Sequence, residues 1–283
     1  MATSLVWFIT GASSGFGDAF ARHALARGYR VVATARDTGK LAALVAQAPE
    51  RVLALPLDVT REGDAEAAVA AAVERFGRID VLVNNAGYGI VGAVEETPAD
   101  ELRAQMETNF FGSAAVIRAA LPVLRAQRTG AIVNMSSMGG QMSFAGFGAY
   151  SASKFALEGL SEALAAEVAP LGIKVLIVEP GAFRTNLAGA AMKHMPELDA
   201  YRDTVGGTRA FARSMHATQA GDPMKAAQAI DEALRAERIP LRLQLGQDAL
   251  DAVRGHAEQL LRDLDMWTRV GTATARDTDD LAK

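Results

Sequence analysis

A tyrosine and a lysine four residues apart give the clearest chemical signal in the sequence. Tyr150 and Lys154 lie at the start of a predicted helix, where positions i and i+4 share one face, so the phenol and the ammonium can point into one cavity. A cation held beside a phenol favours the phenolate and lowers its pKa. Such a tyrosine can give or take a proton near neutral pH, as general acid–base catalysis requires.

Two serines, Ser136 and Ser137, follow the apolar strand pattern that precedes this helix. A hydroxyl at the end of a strand can donate to a carbonyl oxygen that gathers negative charge. A tyrosine and a lysine at this spacing also occur by chance on solvated helices, with the ring stacked on the lysine stem. The catalytic interpretation therefore depends on the rest of the chain.

A glycine-rich loop near the N-terminus is the second candidate site. TGASSGFG, at 10–17, follows an apolar run and precedes a predicted helix, an arrangement that places a pyrophosphate against a helix N-terminus. The spacing Gly11-x-x-x-Gly15-x-Gly17 differs from G-x-G-x-x-G, and no Gly-Lys-Ser/Thr closes the loop as it would in an NTPase. A flexible connection is the alternative, but the position at the start of a βαβ pattern favours cofactor binding.

The end of the second predicted strand indicates which dinucleotide is bound. An NAD site usually has an acidic residue here for the ribose hydroxyls, whereas an arginine suits the extra phosphate of NADP. The strand ends Ala35-Arg36, and the planar guanidinium of Arg36 matches a phosphate, so NADP is predicted over NAD. Two alternatives remain: Asp37 could serve the ribose, or Arg36 could be a solvated charge.

Strand and helix patterns alternate along the chain and must position these side chains. The predicted strands are 5–10, 30–35, 52–57, 79–83, 131–135, 173–178 and 241–245; the predicted helices are 18–27, 38–47, 61–76, 99–125, one that opens at Tyr150, 222–237 and 248–267. Residues 182–220, rich in Met and Phe, are predicted to form helical segments of a mobile lid. No repeat or linker divides the chain, so a single domain is expected over 1–283, with its core at about 5–245 and a C-terminal helical extension at about 247–270.

Composition excludes several functional classes. The 283-residue chain has no cysteine, which rules out disulfides, thiol catalysis and cysteine-bound metals; its four histidines are scattered, so no metal site is expected. A net charge of −4 gives no reason to expect nucleic acid or an anionic membrane as a partner. The N-terminus lacks a signal-peptide pattern and no run approaches the ~18 apolar residues of a membrane span, so a cytoplasmic protein is expected.

In this order and at these spacings, the motifs resemble those of the classical short-chain dehydrogenase/reductase family across about 5–245. The matching segments are TGASSGFG at 10–17, LDVT at 57–60, NNAG at 84–87, Asn109, the set Ser137, Tyr150 and Lys154, and PGAFRT at 180–185. The resemblance implies a doubly wound, Rossmann-type α/β domain with a seven-stranded parallel sheet that binds a nicotinamide cofactor.

The resemblance also implies residue roles. Tyr150 would be the proton donor or acceptor, and Ser137, not Ser136, would orient the substrate oxygen. Lys154 would hold the nicotinamide ribose and lower the pKa of Tyr150, while Asn109 would support a water in the proton relay. The catalytic and cofactor-binding sets overlap at Tyr150 and Lys154, and the other expected cofactor-binding residues are Gly11, Ser13, Ser14, Gly15, Phe16, Gly17, Arg36, Asp58, Val59, Asn85, Ala86, Gly87, Pro180, Gly181 and Thr185.

The expected function is that of an NADP(H)-dependent oxidoreductase that interconverts a carbonyl and a secondary alcohol. A dinucleotide-sensing binding protein without turnover is the alternative, and an epimerase or dehydratase on a nucleotide sugar is disfavoured by the glycine spacing. The expected substrate is small and apolar, because the predicted pocket wall is apolar: Tyr88, Met138, Met142, Phe144, Phe147, Phe183 and Met192. A homodimer or homotetramer is expected, and the C-terminal extension would cover either the pocket or an oligomer surface.

Overall fold

The computed structural model describes residues 4–61, 63–215 and 218–275. The strands of this part of the chain are β1 (Val6–Ile9), β2 (Arg30–Ala35), β3 (Val52–Pro56), β4 (Val81–Asn84), β5 (Gly89–Val91), β6 (Gly130–Met135), β7 (Ile173–Pro180), β8 (Met192–His194) and β9 (Arg242–Leu245). Seven of them form one sheet in the order β3-β2-β1-β4-β6-β7-β9, and every pairing is parallel. The predicted seven-stranded parallel sheet is confirmed.

Helices cover both faces of this sheet. They are α1 (Gly15–Ala26), α2 (Ala42–Gln47), α3 (Asp64–Phe76), α4 (Ala99–Met106), α5 (Gly112–Gln127), α6 (Gly148–Val168), α7 (Arg202–Ser214), α8 (Pro223–Arg235) and α9 (Gln247–Thr272). One core cluster joins the sheet to α1, α2 and α8, and the other joins it to α3, α5 and α6. All four residues of β1 are buried, which explains why this central strand appears as a continuous apolar run.

The chain reverses its direction across the sheet beside β1. From β1 it proceeds to β2 and β3 on one side, and then crosses to β4 and β6 on the other. In open α/β sheets a crevice forms at such a point, outside the carboxyl ends of the strands. The two candidate sites of the sequence, the glycine loop after β1 and the serines after β6, both lie at this edge.

Two predicted helical regions differ from the structure. The 99–125 helix is interrupted by a π-helical turn, Glu107–Phe111, between α4 and α5. Within 182–220, predicted as helical, Met192–His194 is instead the strand β8, which pairs in parallel with β5 in a separate two-stranded sheet. Each of these strands has three residues, too few for an alternating pattern to stand out from the surrounding sequence.

The C-terminal helix α9 is longer than predicted and mostly solvent-exposed. It packs on β9 and on the short turn Met138–Gly140, Ala249 is its buried residue, and every residue from 257 to 275 is exposed. The remaining tail, 276–283, lies outside the described residues. Across the part of the chain with a described structure, no helix is both long and apolar enough to span a bilayer.

Candidate active site

A cleft of about 1260 Å³ opens at the carboxyl ends of the central strands. It is continuous from the glycine loop to the start of α6 and brings together most of the predicted site residues. Those that line it are Gly11, Ser13, Ser14, Gly15, Phe16, Arg36, Asp58, Val59, Asn85, Ala86, Gly87, Ser137, Tyr150, Lys154, Pro180, Gly181 and Thr185. Gly17 and Asn109 are the two predicted residues outside this lining.

The glycine loop is tied to the end of β4 by side-chain hydrogen bonds. The Thr10 hydroxyl accepts the backbone N–H groups of Asn85 and Ala86, at 2.9 and 3.0 Å. The Asn85 amide in turn donates to the carbonyl oxygens of Thr10 and Gly11. A Cβ on Gly17 would overlap the Gly11 carbonyl oxygen, so Gly17 acts by letting α1 approach the loop and not by lining the cleft.

The N-terminus of α1 faces the cleft. Gly11 and Gly15 have φ values of +65° and +56°, a region that favours glycine. Ser14 occupies the N-cap position without a side-chain capping bond, so the first N–H groups of α1 are open to a ligand. Together with the helix dipole, such groups suit a phosphate, and the residues present fit the pyrophosphate of a dinucleotide.

The side chains after β2 and β3 lie at the other end of the cleft. Arg36 and Asp58 line it, whereas Asp37 accepts the Gly39 N–H at 3.0 Å and caps the short turn Thr38–Leu41. Burial alone would raise the pKa of Asp58, but hydrogen bonds from Thr60 and the charges of Arg36 and Arg61 lower it below its usual value. Asp58 is therefore a carboxylate at neutral pH.

Tyr150 and Lys154 lie one turn apart on the buried face of α6, where it borders the cleft. The Lys154 ammonium donates to the Met135 carbonyl oxygen at 2.8 Å and lies 5.7 Å from the centroid of the Tyr150 ring. Burial lowers the pKa of Lys154 to about 8, and the charge of Glu158 opposes that shift. The sequence predicts the ammonium beside the phenol, but its hydrogen bond is to the Met135 carbonyl oxygen, and it acts on the phenol only from a longer distance.

The expected lowering of the Tyr150 pKa is not found in this structure. Burial raises the pKa of the phenol, and the neighbouring Ser137 hydroxyl opposes the increase only in part. The physical reason is that the Lys154 ammonium is held by a backbone carbonyl and does not stabilise the phenolate directly. The site keeps Tyr150 protonated at neutral pH.

A buried acidic cluster lies on the far side of Lys154. Gln141 donates to both Glu158 and Glu179, at 3.0 and 3.2 Å, and Arg242 pairs with Glu158 at 3.0 Å. Burial, followed by the charge of Glu158, raises the pKa of Glu179 to about 7. The charge of Glu158 also acts on Lys154, where it favours the ammonium.

Asn109 lies in the π-helical turn, and its side chain is enclosed by protein. Its amide donates to the Tyr88 carbonyl oxygen and to the Ser153 hydroxyl, both at 3.0 Å, and its oxygen accepts the Tyr88 N–H at 3.1 Å. The side chain thus joins the segment after β4 to α6. A role in holding a water stays a prediction for this residue.

The wall opposite the glycine loop is largely apolar. Six of the seven predicted wall residues line the cleft, and Met142 does not. Residues outside the predicted wall also contribute, most of them from the segment 182–220, the predicted lid: Glu107, Thr108, Leu187, Lys193, Thr208, Phe211, Met215, Gln219 and Asp248. Gln219 is buried, and neither of its amide atoms has a hydrogen-bond partner among the described residues.

Asp248, at the start of α9, supports the loop that follows β7. Its carboxylate accepts the Ala182 N–H at 2.7 Å, and a Cβ on Gly181 would overlap that carboxylate. The start of the C-terminal extension thus contributes to the cleft, in line with one of the two positions expected for the extension. Among the residues with described positions, no group of three or more His, Asp or Glu side chains could hold a metal ion.

Comparison with known proteins assigns the chain to a family. The family described as short chain dehydrogenase matches residues 5–196, more than half of the chain. This protein is a short-chain dehydrogenase/reductase. The resemblance drawn from the motifs is confirmed, as are the doubly wound fold and a single domain with a seven-stranded sheet.

The relatives of this short-chain dehydrogenase/reductase include named oxidoreductases. It is 40% identical to oxidoreductase BOA17 of Botryotinia fuckeliana over 95% of this chain and 99% of that protein. It is 39% identical to a 3-ketodihydrosphingosine reductase of Bacteroides thetaiotaomicron, over 84% of this chain and 86% of the relative. The chain is therefore an NAD(P)-dependent enzyme, and the alternative of a sensor without turnover is set aside.

Solved structures of the family are similar over nearly the whole chain. A short-chain dehydrogenase from Streptomyces avermitilis is 51% identical, with a TM-score of 0.92, over 97% of this chain and 100% of that one. A family member from Burkholderia phymatum in complex with NAD is 28% identical, with a TM-score of 0.80, over 92% and 95% of the two chains. ElxO with NADP bound is 27% identical, with a TM-score of 0.72, over 88% and 99%.

Proposed function

We propose that this short-chain dehydrogenase/reductase uses NADP(H) to interconvert a carbonyl and a secondary alcohol, with Tyr150 as the general acid/base. One observation carries the proposal: Tyr150, Ser137 and Lys154 open into the same cleft as the glycine loop. Carbonyl reduction requires a hydride source and a proton donor in one cavity. A dinucleotide site and Tyr150 in the same cleft would meet both requirements.

The cofactor would lie along the cleft from Arg36 to Thr185. The N–H groups at the start of α1, with Ser13 and Ser14, would hold the pyrophosphate. Asp58 and Val59 would contact the adenine end, and the segment 85–87 the middle of the cofactor. Lys154 would bind the nicotinamide ribose, with Pro180, Gly181 and Thr185 at the nicotinamide end. When bound, the nicotinamide supplies or accepts the hydride.

The preference for NADP rests on the roles of three neighbouring residues. Arg36 lines the cleft, and its guanidinium suits the 2′-phosphate. Asp37, the alternative partner for a ribose hydroxyl, already accepts the Gly39 N–H. Ala35, before Arg36, has no side-chain charge to oppose a phosphate. These contacts support NADP over NAD.

Ser137 and Tyr150 would act on the substrate oxygen. The Ser137 hydroxyl oxygen accepts the Gly139 N–H at 3.0 Å, so its own proton remains available to a substrate carbonyl. The raised pKa of Tyr150 keeps its proton in place until charge develops on that oxygen. Both groups therefore carry a proton that can be directed at the substrate oxygen during carbonyl reduction.

The substrate would be a small apolar ketone or the corresponding alcohol. Met138, Phe144, Phe147 and Met192 line the cleft and provide an apolar and adaptable wall. One relative is named as a 3-ketodihydrosphingosine reductase, and this name is consistent with reduction of a keto group.

The test is turnover of ketones with NADPH and of alcohols with NADP by the wild type and by Tyr150→Phe. General acid–base catalysis contributes about 10²–10⁴-fold, so we expect Tyr150→Phe to lose at least ~100-fold in kcat while it still binds NADPH in a fluorescence titration. Tyr88→Phe, which removes another phenol from the cleft wall, is the matched control. A Tyr150→Phe variant that keeps more than about a tenth of the rate, only ~1.4 kcal/mol of barrier, would disprove the assignment.

A further inference from the structure

The helix α9 carries an apolar stripe with a heptad spacing. Its members follow one another at alternating steps of three and four residues: Leu250, Val253, Ala257, Leu260, Leu264 and Trp267. In the notation of coiled coils these are successive a and d positions, the seam along which two helices pair. The repeat extends over 18 residues, about 27 Å of helix at 1.5 Å per residue.

Most of this stripe has no partner within the described part of the subunit. Leu260, Leu264 and Trp267 are 55, 65 and 62% exposed, and every residue from 257 to 275 is exposed. Only the first turns of α9 pack on the body of the protein, where Ala249 is buried. Helices in proteins are stabilised mainly by packing of an apolar face, and most of the apolar stripe of α9 is exposed within the subunit.

We infer that α9 pairs antiparallel with α9 of a second copy of this chain. In a symmetric register Leu250 faces the partner's Trp267, Val253 faces the partner's Leu264, and Ala257 faces the partner's Leu260. The twofold symmetry of the pair generates each of these three contacts twice. Every layer thus combines a larger with a smaller side chain, as close packing across a seam requires.

The polar side chains that flank the stripe favour this register. His256 and Asp263 occupy g positions, and g positions face each other in an antiparallel pair, so His256 lies beside the partner's Asp263 twice. A shift by one heptad toward the C-terminus would bring the two Asp263 carboxylates together at the axis, which like-charge repulsion opposes. A parallel pair would align g with e positions and place His256 against Leu261 and Asp263 against Thr268, so the His256 imidazole would have no carboxylate to hydrogen-bond.

Two other occupants of the stripe are disfavoured. The tail at 276–283, RDTDDLAK, contains one large apolar residue, Leu281, too little to cover six. A membrane surface attracts helices whose polar face is rich in Lys and Arg. The polar positions of α9 include five acids and three arginines and no lysine: Asp248, Asp251, Glu258, Asp263 and Asp265 against Arg254, Arg262 and Arg269.

The oligomeric state of the full chain tests the inference. Leu264→Glu places a charge in the seam, and Met266→Glu places the same charge at an equally exposed position outside it, 72% against 65% exposed. By sedimentation velocity at micromolar concentration we expect the mass of Leu264→Glu to fall to half that of the wild type. The mass of Met266→Glu should not change. An unchanged mass for Leu264→Glu would overturn the inference.

Cysteine crosslinking tests the orientation, because the chain has no native cysteine. We expect a covalent dimer when Leu250→Cys and Trp267→Cys proteins are mixed and oxidised, and none from either protein alone. A dimer from Trp267→Cys alone would indicate a parallel pair and overturn the antiparallel register. The contrary result is that the wild type floats with anionic phosphatidylserine vesicles and that Leu264→Glu loses this binding with no change in mass. That result would identify a membrane, and not a second copy, as the partner of the stripe and would overturn the inference.

Discussion

The Lys154 ammonium donates to the Met135 carbonyl oxygen and feels the charge of the buried Glu158 carboxylate. Its pKa, about 8 in this environment, reflects the cost of burying the ammonium, opposed by the charge of Glu158 four residues further along α6. The proposed mechanism uses the cation, so the pH at which Lys154 loses its proton limits the reaction on the alkaline side. Under the proposed mechanism, the groups around Lys154 therefore set the alkaline end of the pH profile.

We therefore predict that Glu158→Gln shifts the alkaline limb of the kcat profile to lower pH. Without the Glu158 charge the ammonium is less favoured, so the pKa of Lys154 falls below about 8 and the cation is lost earlier. Glu162→Gln is the control, because Glu162 also binds Arg242 but lies toward solvent. A Glu158→Gln profile that coincides with that of the wild type would contradict the prediction.

A second prediction at this scale concerns the choice of cofactor. The contact between Arg36 and the 2′-phosphate would be charge-assisted, and its loss costs about 1.5–3 kcal/mol. Arg36→Ala should raise the KM for NADPH by roughly one to two orders of magnitude and leave the KM for NADH nearly unchanged. Arg61→Ala, which removes the other cation near Asp58, should alter neither. Equal losses for both cofactors in Arg36→Ala would exclude a specific phosphate contact.

Among the elements, α7 is fixed to the body by an ion pair that connects distant parts of the chain. Arg209, on α7, donates to Glu96 at 2.5 Å across 113 residues of sequence, and both side chains are buried. The same guanidinium donates to the Met195 and Pro196 carbonyl oxygens. Burial alone would raise the pKa of Glu96, but the Leu198 and Ala93 N–H groups and Arg209 lower it. The predicted lid is thus anchored at α7.

We expect Arg209→Met to destabilise the fold strongly. The substitution leaves the Glu96 carboxylate buried without its counter-charge, which costs about 3–5 kcal/mol. Arg213→Met, on the same helix, removes an exposed pair with Glu197 and should cost less than ~1 kcal/mol. Urea unfolding of both variants gives the comparison. Similar midpoints for the two would show that the buried pair does not stabilise α7.

The length and burial of a strand decide whether the sequence alone predicts it. Strands of the central sheet are buried on both faces, as β1 is, and their continuous apolar runs identify them. The strands β5 and β8 have three residues each and pair across about 100 residues, so local patterns do not reveal them. The Arg209–Glu96 pair depends on the same kind of long-range contact, which the lid predicted over 182–220 did not include.

The candidate site shows the same division. Tyr150 and Lys154 are one helical turn apart, so their spacing alone places both on one face of α6. The electrostatics of the pair depended on contacts from other elements: Met135 on β6 holds the ammonium, and burial raises the phenol pKa. A motif specifies which groups meet, whereas the surrounding fold specifies their protonation.

At the scale of the whole molecule, the contact between Asp248 and the loop after β7 joins the C-terminal helix α9 to the cleft. Because a Cβ on Gly181 would overlap the Asp248 carboxylate, residues 181 and 248 are expected to change together among related sequences. Gly181→Ala should therefore be destabilising alone and partly rescued by Asp248→Ser, with a coupling of about 0.5–3 kcal/mol in a double-mutant cycle of unfolding free energies. Strict additivity of the two changes would refute this. The C-terminal extension and the cofactor loop would then evolve as one unit, and the history of one could be read from substitutions in the other.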